Sequence, residues 1–452
     1  MKFTPAGFLA LLGTVFIFSF MACQRTTPEQ FDTVTEFDYP TRHYEATRWP
    51  DRIIQSVSAN PSEQINLSWR TSGDIITGHV EYTPSPLGPN SQTHIQPAIV
   101  KQVRYDNIHD HYFQAEVKGL QPAKEYMMRV GSDLYQSEWF PVSTAPEQFQ
   151  AFRFLYFGDI QSNVKGLTTR IYRHALLHYS DAKFMVHTGD IINGSNGNHD
   201  DDQWGDWFYA CGWMLQKIPV LAAAGNGDHI PRKDFAINAH MLSPQWNGVF
   251  NLPANGPEEL SNLAYYFDYP GIRIVSLYSW FESLENNGQE IFLNNDLAFT
   301  RDHFNQQLRW LERALSSNTQ PWLAVVVHHP VFAARKKRHN TFMQQQILPL
   351  LEKYKVDLVM QGNDHVYARG NIPDQENNAR LPVFVTSVAG GDFQEVDHTH
   401  QWIKKYRENA QIYQVIHVNR NTLKLEAIDS RGRLVDRYWI RRGEDNTKTM
   451  VE

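Results

Sequence analysis

Hydrophobic and polar positions alternate with period two over much of 53–144, and the pattern changes to blocks after Phe152. In the first region Gln64-Ile65-Asn66-Leu67-Ser68-Trp69-Arg70 alternates as a half-buried strand does. Residues 79–82, ended by Pro84 and Pro86, and residues 113–117, 126–130 and 139–142 repeat the signal, with Gly119-Leu120-Gln121-Pro122 as a turn. Short strands at regular spacing predict a β-sandwich over 51–147. In the second region strand-like runs take turns with helical ones at 167–178, 202–215, 302–315 and 342–354. Phe304, Leu308, Leu311 and Leu315 share one helical face. This alternation predicts an α/β domain over 152–441. Residues 238–262 read as an irregular loop. Strands return at 414–418, 423–428 and 435–440, and 442–452 is left as a tail.

Five apolar runs of the second region end in residues with metal-binding side chains. The ends are Gly158-Asp159, Gly189-Asp190, Gly225-Asn226, His328-His329 (without the glycine) and Gly362-Asn363-Asp364-His365. A short apolar run reads as a strand buried on both faces. Its polar end falls at the carboxyl edge, where open α/β sheets hold their ligands. Five such ends converging give the donor set of a two-metal hydrolytic site. Two cations a few ångströms apart need a shared anion, and Asp190 is the expected bridge. Asp159 and His365 complete the first site. Asn226 and His328 belong to the second, with Asn363 as a weak fourth donor.

Composition narrows the class. A chain of 452 residues has room for two or three domains. Its net charge of −7 argues against unspecific nucleic-acid binding. Lys2, an apolar stretch over 8–20 and Ala22-Cys23 have the layout of a secretory signal. The small residue directly before cysteine resembles a bacterial lipoprotein signal. That implies cleavage after residue 22, a lipid on Cys23 and a place in the cell envelope, periplasmic or surface, with the membrane touched only through the lipid. A plain cleaved signal, or an uncleaved anchor, is the alternative. Residues 23–50 read as a polar tether. With Cys23 lipidated, Cys211 has no disulfide partner, and Trp207, Phe208 and Trp213 around it mark a buried filler.

Two further resemblances join these readings. Trp69, then Leu120-x-Pro122 followed by Tyr126, resemble a fibronectin type III domain, with Tyr126 as the corner residue that bonds back to nearby backbone. The ordered set Asp159, Asp190, Asn226, His328 and Gly362 to His365, with Tyr367 and Arg369 beyond, resembles the calcineurin-like metallophosphoesterases, and among them the purple acid phosphatase branch, which carries a similar N-terminal sandwich. The resemblance implies a four-layer α/β/β/α sandwich and two divalent or trivalent ions (Fe, Zn or Mn). It also implies hydrolysis of phosphate esters by a metal-bridging hydroxide, on a small-molecule or macromolecular substrate.

The departures from that pattern are specific. Asn193 stands where the branch has a tyrosine, so no purple colour is expected. Gln161 stands where other members have a histidine. Gly227 replaces the histidine after the asparagine, with His229 two residues on. Asn363 replaces the first histidine of the last motif, so the second ion is expected to be labile and to tilt toward Mn or Mg. The resemblance implies phosphate-facing groups near 336–340. His339 and Arg338 are the candidates there, and His229 or His339 would protonate the leaving oxygen; a solvated charge run is the alternative for this stretch. His329 reads as a packing residue, His187 as a core histidine, and His199 to Asp202 as an acidic helix start rather than a calcium loop. Beside the enzyme stand two other readings: a catalytically silent homologue binding a phospho-ligand or partner, and a surface protein whose sandwich mediates adhesion. The oligomeric state stays open.

Overall fold

The computed structural model describes residues 43–105, 108–194, 200–231, 240–280, 282–286, 289–293, 301–372, 381–444 and 447–452. The expected signal and most of the tether lie outside the described residues, as does His199.

The apolar runs become strands because every residue in them is buried, or all but one. Phe152–Phe157, Met185–His187 and Val220–Ala222 pair in parallel, aligned so that Phe157, His187 and Ala222 stand side by side. On one flank Ile412–Val418 joins antiparallel, followed by Thr422–Asp429, Leu434–Arg442 and Lys448–Val451. The last of these lies in the stretch expected as a tail; it is an edge strand, with Met450 opposite Ile440.

A second sheet has Ile272–Leu277, Trp322–Val327, Leu358–Gln361 and Val383–Thr386 in parallel, flanked by antiparallel Tyr265–Tyr269, Tyr367–Asn371 and Ile403–Arg407. The two sheets face each other across one core. The Tyr156 hydroxyl donates across it to the Gln361 carbonyl (2.5 Å), and the Tyr265 hydroxyl donates to the Ala222 carbonyl (2.8 Å). Helices Thr169–His178 and Asp200–Cys211 belong to the first sheet's side, Arg301–Ser316 and Thr341–Lys353 to the second's. The helix expected over 202–215 breaks at Gly212, whose φ of +57° suits glycine at a helix end, and resumes as Met214–Lys217.

The sandwich is not a separate body. Asp51–Ser56 pairs in parallel with Val220–Ala222 at Ser56 and Val220, so the first sheet runs on through Gln64–Ser72, Ile108–Lys118 and Ile99–Tyr105. A four-stranded sheet of His94–Pro97, His79–Pro84, Glu125–Gly131 and Phe140–Ser143 covers it. Trp69 stacks on Phe113 in the core between them. Tyr126 makes the corner bond, its hydroxyl accepting from the Gln121 amide at 2.9 Å. The stretch expected as loop is partly ordered structure: His240–Leu242 pairs with His229–Pro231, and Trp246–Val249 is a short helix against the sandwich.

Candidate metal centre

Three of the five strand ends come from the first sheet and two from the second. They meet because the sheets face each other with their parallel strands ending at one rim. Val327 pairs with Gln361, which sets His328 beside the turn that carries Asn363 and His365. At that rim Asp159 (φ 41°), Asp190 (52°), Asn363 (68°) and His365 (52°) all hold left-handed backbone. A non-glycine residue there carries strain, and four together at one rim are a functional signature. The turns are tight. A β-carbon on Gly225 would come within 2.2 Å of Asp190 Oδ1.

Asp159, Asp190 and His365 offer ligand atoms all within 4.8 Å of one another. Both oxygens of Asp159 accept from the Asn363 amide (2.8 and 2.9 Å). Burial, and then the charge of Asp190, raise Asp159 well above the usual carboxylate range. His365 Nε2 lies 3.6 Å from Asp159 Oδ1, and its Nδ1 lies 2.8 Å from Asp392 Oδ2, off the line a hydrogen bond needs.

The second set is joined through Asp190. His328 Nδ1 donates to the Thr188 carbonyl at 2.8 Å, which leaves the Nε2 lone pair facing Asn226 Oδ1 (3.0 Å) and Asp190 Oδ1 (3.2 Å). Burial pushes His328 below its ordinary value, which favours the neutral ring. His328 Nε2, Asn226 Oδ1 and Asp190 Oδ1, the last also accepting from the Gly227 amide at 2.6 Å, form an electron-rich cluster that fits a cation. A backbone carbonyl that accepts from one ring nitrogen is the usual support of a ligating histidine. The donor sets therefore suit the metals that the sequence implied.

Asp228, which the sequence reading passed over, is the clamp of the site. It is fully buried and accepts from four backbone amides: Asp190 and Gly225 at one oxygen (2.9 and 2.8 Å), Ile191 and Ile192 at the other (2.9 and 3.2 Å). Burial and the Asp190 charge push its carboxyl up to about 8, against the pull of those amides. Its only sequence signal is an acidic residue close after Gly225-Asn226.

The expected proton donors need correction. His229 is fully buried, with Nδ1 2.8 Å from the Gly225 carbonyl and Nε2 2.9 Å from the Tyr278 hydroxyl. Its ring lies against Trp280, and burial lowers it to about 3. It cannot swing toward a phosphate without abandoning both partners. Gly227 leaves no room either, since a β-carbon there would meet the Ile192 carbonyl at 2.6 Å. His339 lies exposed at the surface beside His400, the rings 5.3 Å apart, and not among the ligands. Arg338 does border the site. Its Nη1 donates to Asp364 Oδ1 (2.8 Å) and to the Asn363 carbonyl (3.1 Å), so its position is fixed by the ligand turn. His187 and Cys211 are buried in the core, as expected.

Two facing sheets bring carboxylate, imidazole and amide donors to a shared rim, which makes a candidate metal centre. Residues 152–367 match the family described as calcineurin-like phosphoesterase, and residues 50–144 match the purple acid phosphatase N-terminal domain. The chain is 27% identical to purple acid phosphatase 23 of Arabidopsis thaliana over 206 residues, covering 43% of this chain and 39% of that protein. It is 24% identical to probable purple acid phosphatase 20 of the same plant over 369 residues, covering 79% and 77%. The fold matches that of purple acid phosphatase PPD1 from yellow lupin (Lupinus luteus) seeds with a TM-score of 0.66 at 17% identity, over 88% of this chain and 75% of that one. By sequence the chain is similar to the calcineurin-like phosphoesterases over its α/β region and to the purple acid phosphatases over its N-terminal sandwich. It spans well under half of the first of these relatives.

Proposed function

We propose that the protein hydrolyses phosphate esters in a metal-dependent reaction. The carrying observation is the pair of donor sets joined by Asp190: Asp159, Asp190 and His365 on one side, Asn226 and His328 on the other. Ions held there would activate a water for attack on phosphorus and neutralise the charge that develops on the phosphate oxygens. The chain's own residues do the rest. Asp190 serves both sets and is fixed by Asp228. Thr188 holds His328 in the tautomer that points its lone pair inward. Arg338, tied to Asp364, offers its guanidinium to phosphate oxygens at the rim. With His229 sequestered and His339 at the surface, the leaving oxygen takes its proton from solvent, so a weakly basic leaving group such as a phenol suits the site best.

Two ions are proposed, Fe, Zn or Mn, with the Asn226 and His328 side weaker because Asn363 brings a neutral amide where the family has an imidazole. The sequestered His229 and the filled space at Gly227 favour one second reading, a silent homologue that binds a phosphorylated ligand. A single assay separates the two. Aryl phosphomonoester and phosphodiester are offered with Mn, Zn, Mg or Fe, beside Asp190→Asn. The enzyme reading expects metal-dependent turnover that falls by at least about 100-fold in the variant, since even outer-shell changes cost 10–100-fold. Equal rates for both proteins would leave the silent homologue standing.

The Ala22-Cys23 signal adds the proposal that the protein is exported and lipid-anchored. A labelled fatty acid supplied to the cells should mark the wild type and not Cys23→Ser. A wild type without label, or equal label in both proteins, would reject lipidation at that cysteine.

A further inference from the structure

Three large apolar side chains stand exposed at one end of the sandwich. Trp49, just before Asp51–Ser56, is 56% exposed. Ile76, in the loop between Gln64–Ser72 and His79–Pro84, is 72% exposed. Leu134, in the loop between Glu125–Gly131 and Phe140–Ser143, is 80% exposed. Asp51 pairs with Arg70 and His79 with Gly131, so both sheets turn at this end. Arg48 ties the loops together. Its Nε donates to Asp74 Oδ2 (2.6 Å) and its Nη1 to the Tyr135 hydroxyl (3.3 Å), and the Trp49 ring meets the Tyr135 ring edge-on at 5.4 Å. Backbone bonds close the loops themselves, from the Ile75 amide to the Ser72 carbonyl (3.2 Å) and from the Ser132 amide to the Tyr135 carbonyl (2.9 Å). A fixed base thus holds apolar tips in water, where their exposure is unfavourable.

We propose that this end of the sandwich rests on the headgroup layer of the membrane that carries the protein. The inference rests on the exported, anchored reading above for the nearness of that membrane. His43, the first described residue, lies 20 positions after Cys23. A stretch of that length reaches at most about 70 Å. Attachment through so short a tether gives an effective concentration in the mM range, so a contact too weak to form alone is made. Among possible partners, the bilayer is the one that the chain's own attachment brings within reach. The side chains suit it. Trp49 and Tyr135 have apolar bodies and polar tips, the character of residues at the membrane–water boundary, and Ile76 and Leu134 can enter the acyl region beside them. Charge is not the attraction. Arg48 is paired with Asp74, and Asp133, next to Leu134, is an exposed carboxylate. Anionic headgroups gain nothing from such a set, so the contact should be indifferent to salt. A second point of contact would stop the body from swinging on its tether.

The test uses the chain from residue 24, which keeps every described residue and lacks Cys23, so its outcome does not depend on lipidation. Cys211 is buried, which leaves an introduced cysteine as the place for a polarity-sensitive dye. Leu134→Cys carries the dye on the patch. Leu177→Cys, on the helix Thr169–His178 and also 80% exposed, carries it elsewhere. Thermal melts show that both are folded. Vesicles of phosphatidylethanolamine and phosphatidylglycerol are added up to millimolar lipid, with and without brominated acyl chains. The dye at 134 should shift to the blue and be quenched by the bromine, the dye at 177 should do neither, and high salt should change nothing. Adding Trp49→Ser and Ile76→Ser should weaken vesicle binding by about tenfold or more, as the loss of two apolar contacts implies. No response at 134, or equal responses at the two positions, would overturn the proposal. Release of the protein by high salt would overturn it too, because the attraction would then be one of charge. A fatty-acid label on the wild type without vesicle contact here would keep the anchor and remove the surface. Vesicle contact through 134 without that label would uphold the surface and remove the anchor.

Discussion

His187 sits one strand position before the Thr188-Gly189-Asp190 turn and is fully enclosed between Phe157 and Trp207. Burial alone lowers it from the ordinary 6.5 to about 3, so it stays neutral in the folded chain. The unfolded chain takes up a proton below 6.5. Its contribution to stability is therefore complete above pH 6.5 and is lost as the pH falls toward 3. Each such histidine gives a slope of about 1.4 kcal/mol per pH unit across that window. His187→Phe keeps the stacking and carries no charge, so the acid limb of stability of the metal-free protein should flatten by one proton. Denaturant melts from pH 7 to pH 3.5 measure it, and an identical limb in both proteins would refute the assignment. At this scale the sequence marked residues that gather at the rim, but not their partners. Asp159 and Asp190 announce themselves as Gly-Asp after an apolar run. Asp228 does not, because its work is to receive amides from residues as far back as Asp190.

Among the elements, the runs that are buried throughout were the easiest to read. Trp322–Val327 and Leu358–Gln361 are buried at every position, and Phe152–Phe157 at all but Arg153. Ile99–Tyr105 escaped notice because it is an edge strand with most of its residues exposed, so neither alternation nor a solid apolar run marks it. The helix Arg301–Ser316 was read correctly in place, but its buried face is turned slightly: Gln307 and Trp310 are inside with Phe304, Leu311 and Leu315, and Leu308 is half-exposed. Gln307 is inside because its side-chain amide bonds both the amide and the carbonyl of Tyr278 (2.9 and 2.8 Å), the residue whose hydroxyl holds His229. Leu311→Ala should cost about 2–5 kcal/mol, the range for a fully buried leucine, in urea melts. A loss below about 1 kcal/mol would mean that this face is not packed as described.

Across the molecule, a buried charge cluster binds the sandwich to the helix Asp200–Cys211. Arg52 donates to both oxygens of Asp201 (2.6 and 3.0 Å), and Arg70 reaches Asp51, Asp110 and Asp201. Two residues along the same helix, Gln203 bonds the backbone of Asn193, three residues past Asp190. Removing one member of a buried pair leaves the other uncompensated, at about 3–5 kcal/mol. Asp201→Ala should therefore destabilise the protein by that amount and also weaken Mn(II) binding, although Asp201 is no ligand. Normal metal affinity in a destabilised variant would show that the cluster supports the fold and not the site.

By itself the sequence determined which strands end in metal-binding residues and in what order, since burial and turn chemistry are written within a few neighbouring positions. It determined the sandwich and the α/β domain for the same reason. Only the tertiary structure decided where each side chain points. His229 is turned away by Gly225 and Tyr278, Arg338 is held by Asp364, and the space at Gly227 is taken by Ile192. Gln161, which reads in the sequence as a weaker substitute, lies against Asp190 and against His365, 204 positions further along. Such partners come from facing sheets, and no local pattern encodes which residue of one sheet will stand opposite a given residue of the other.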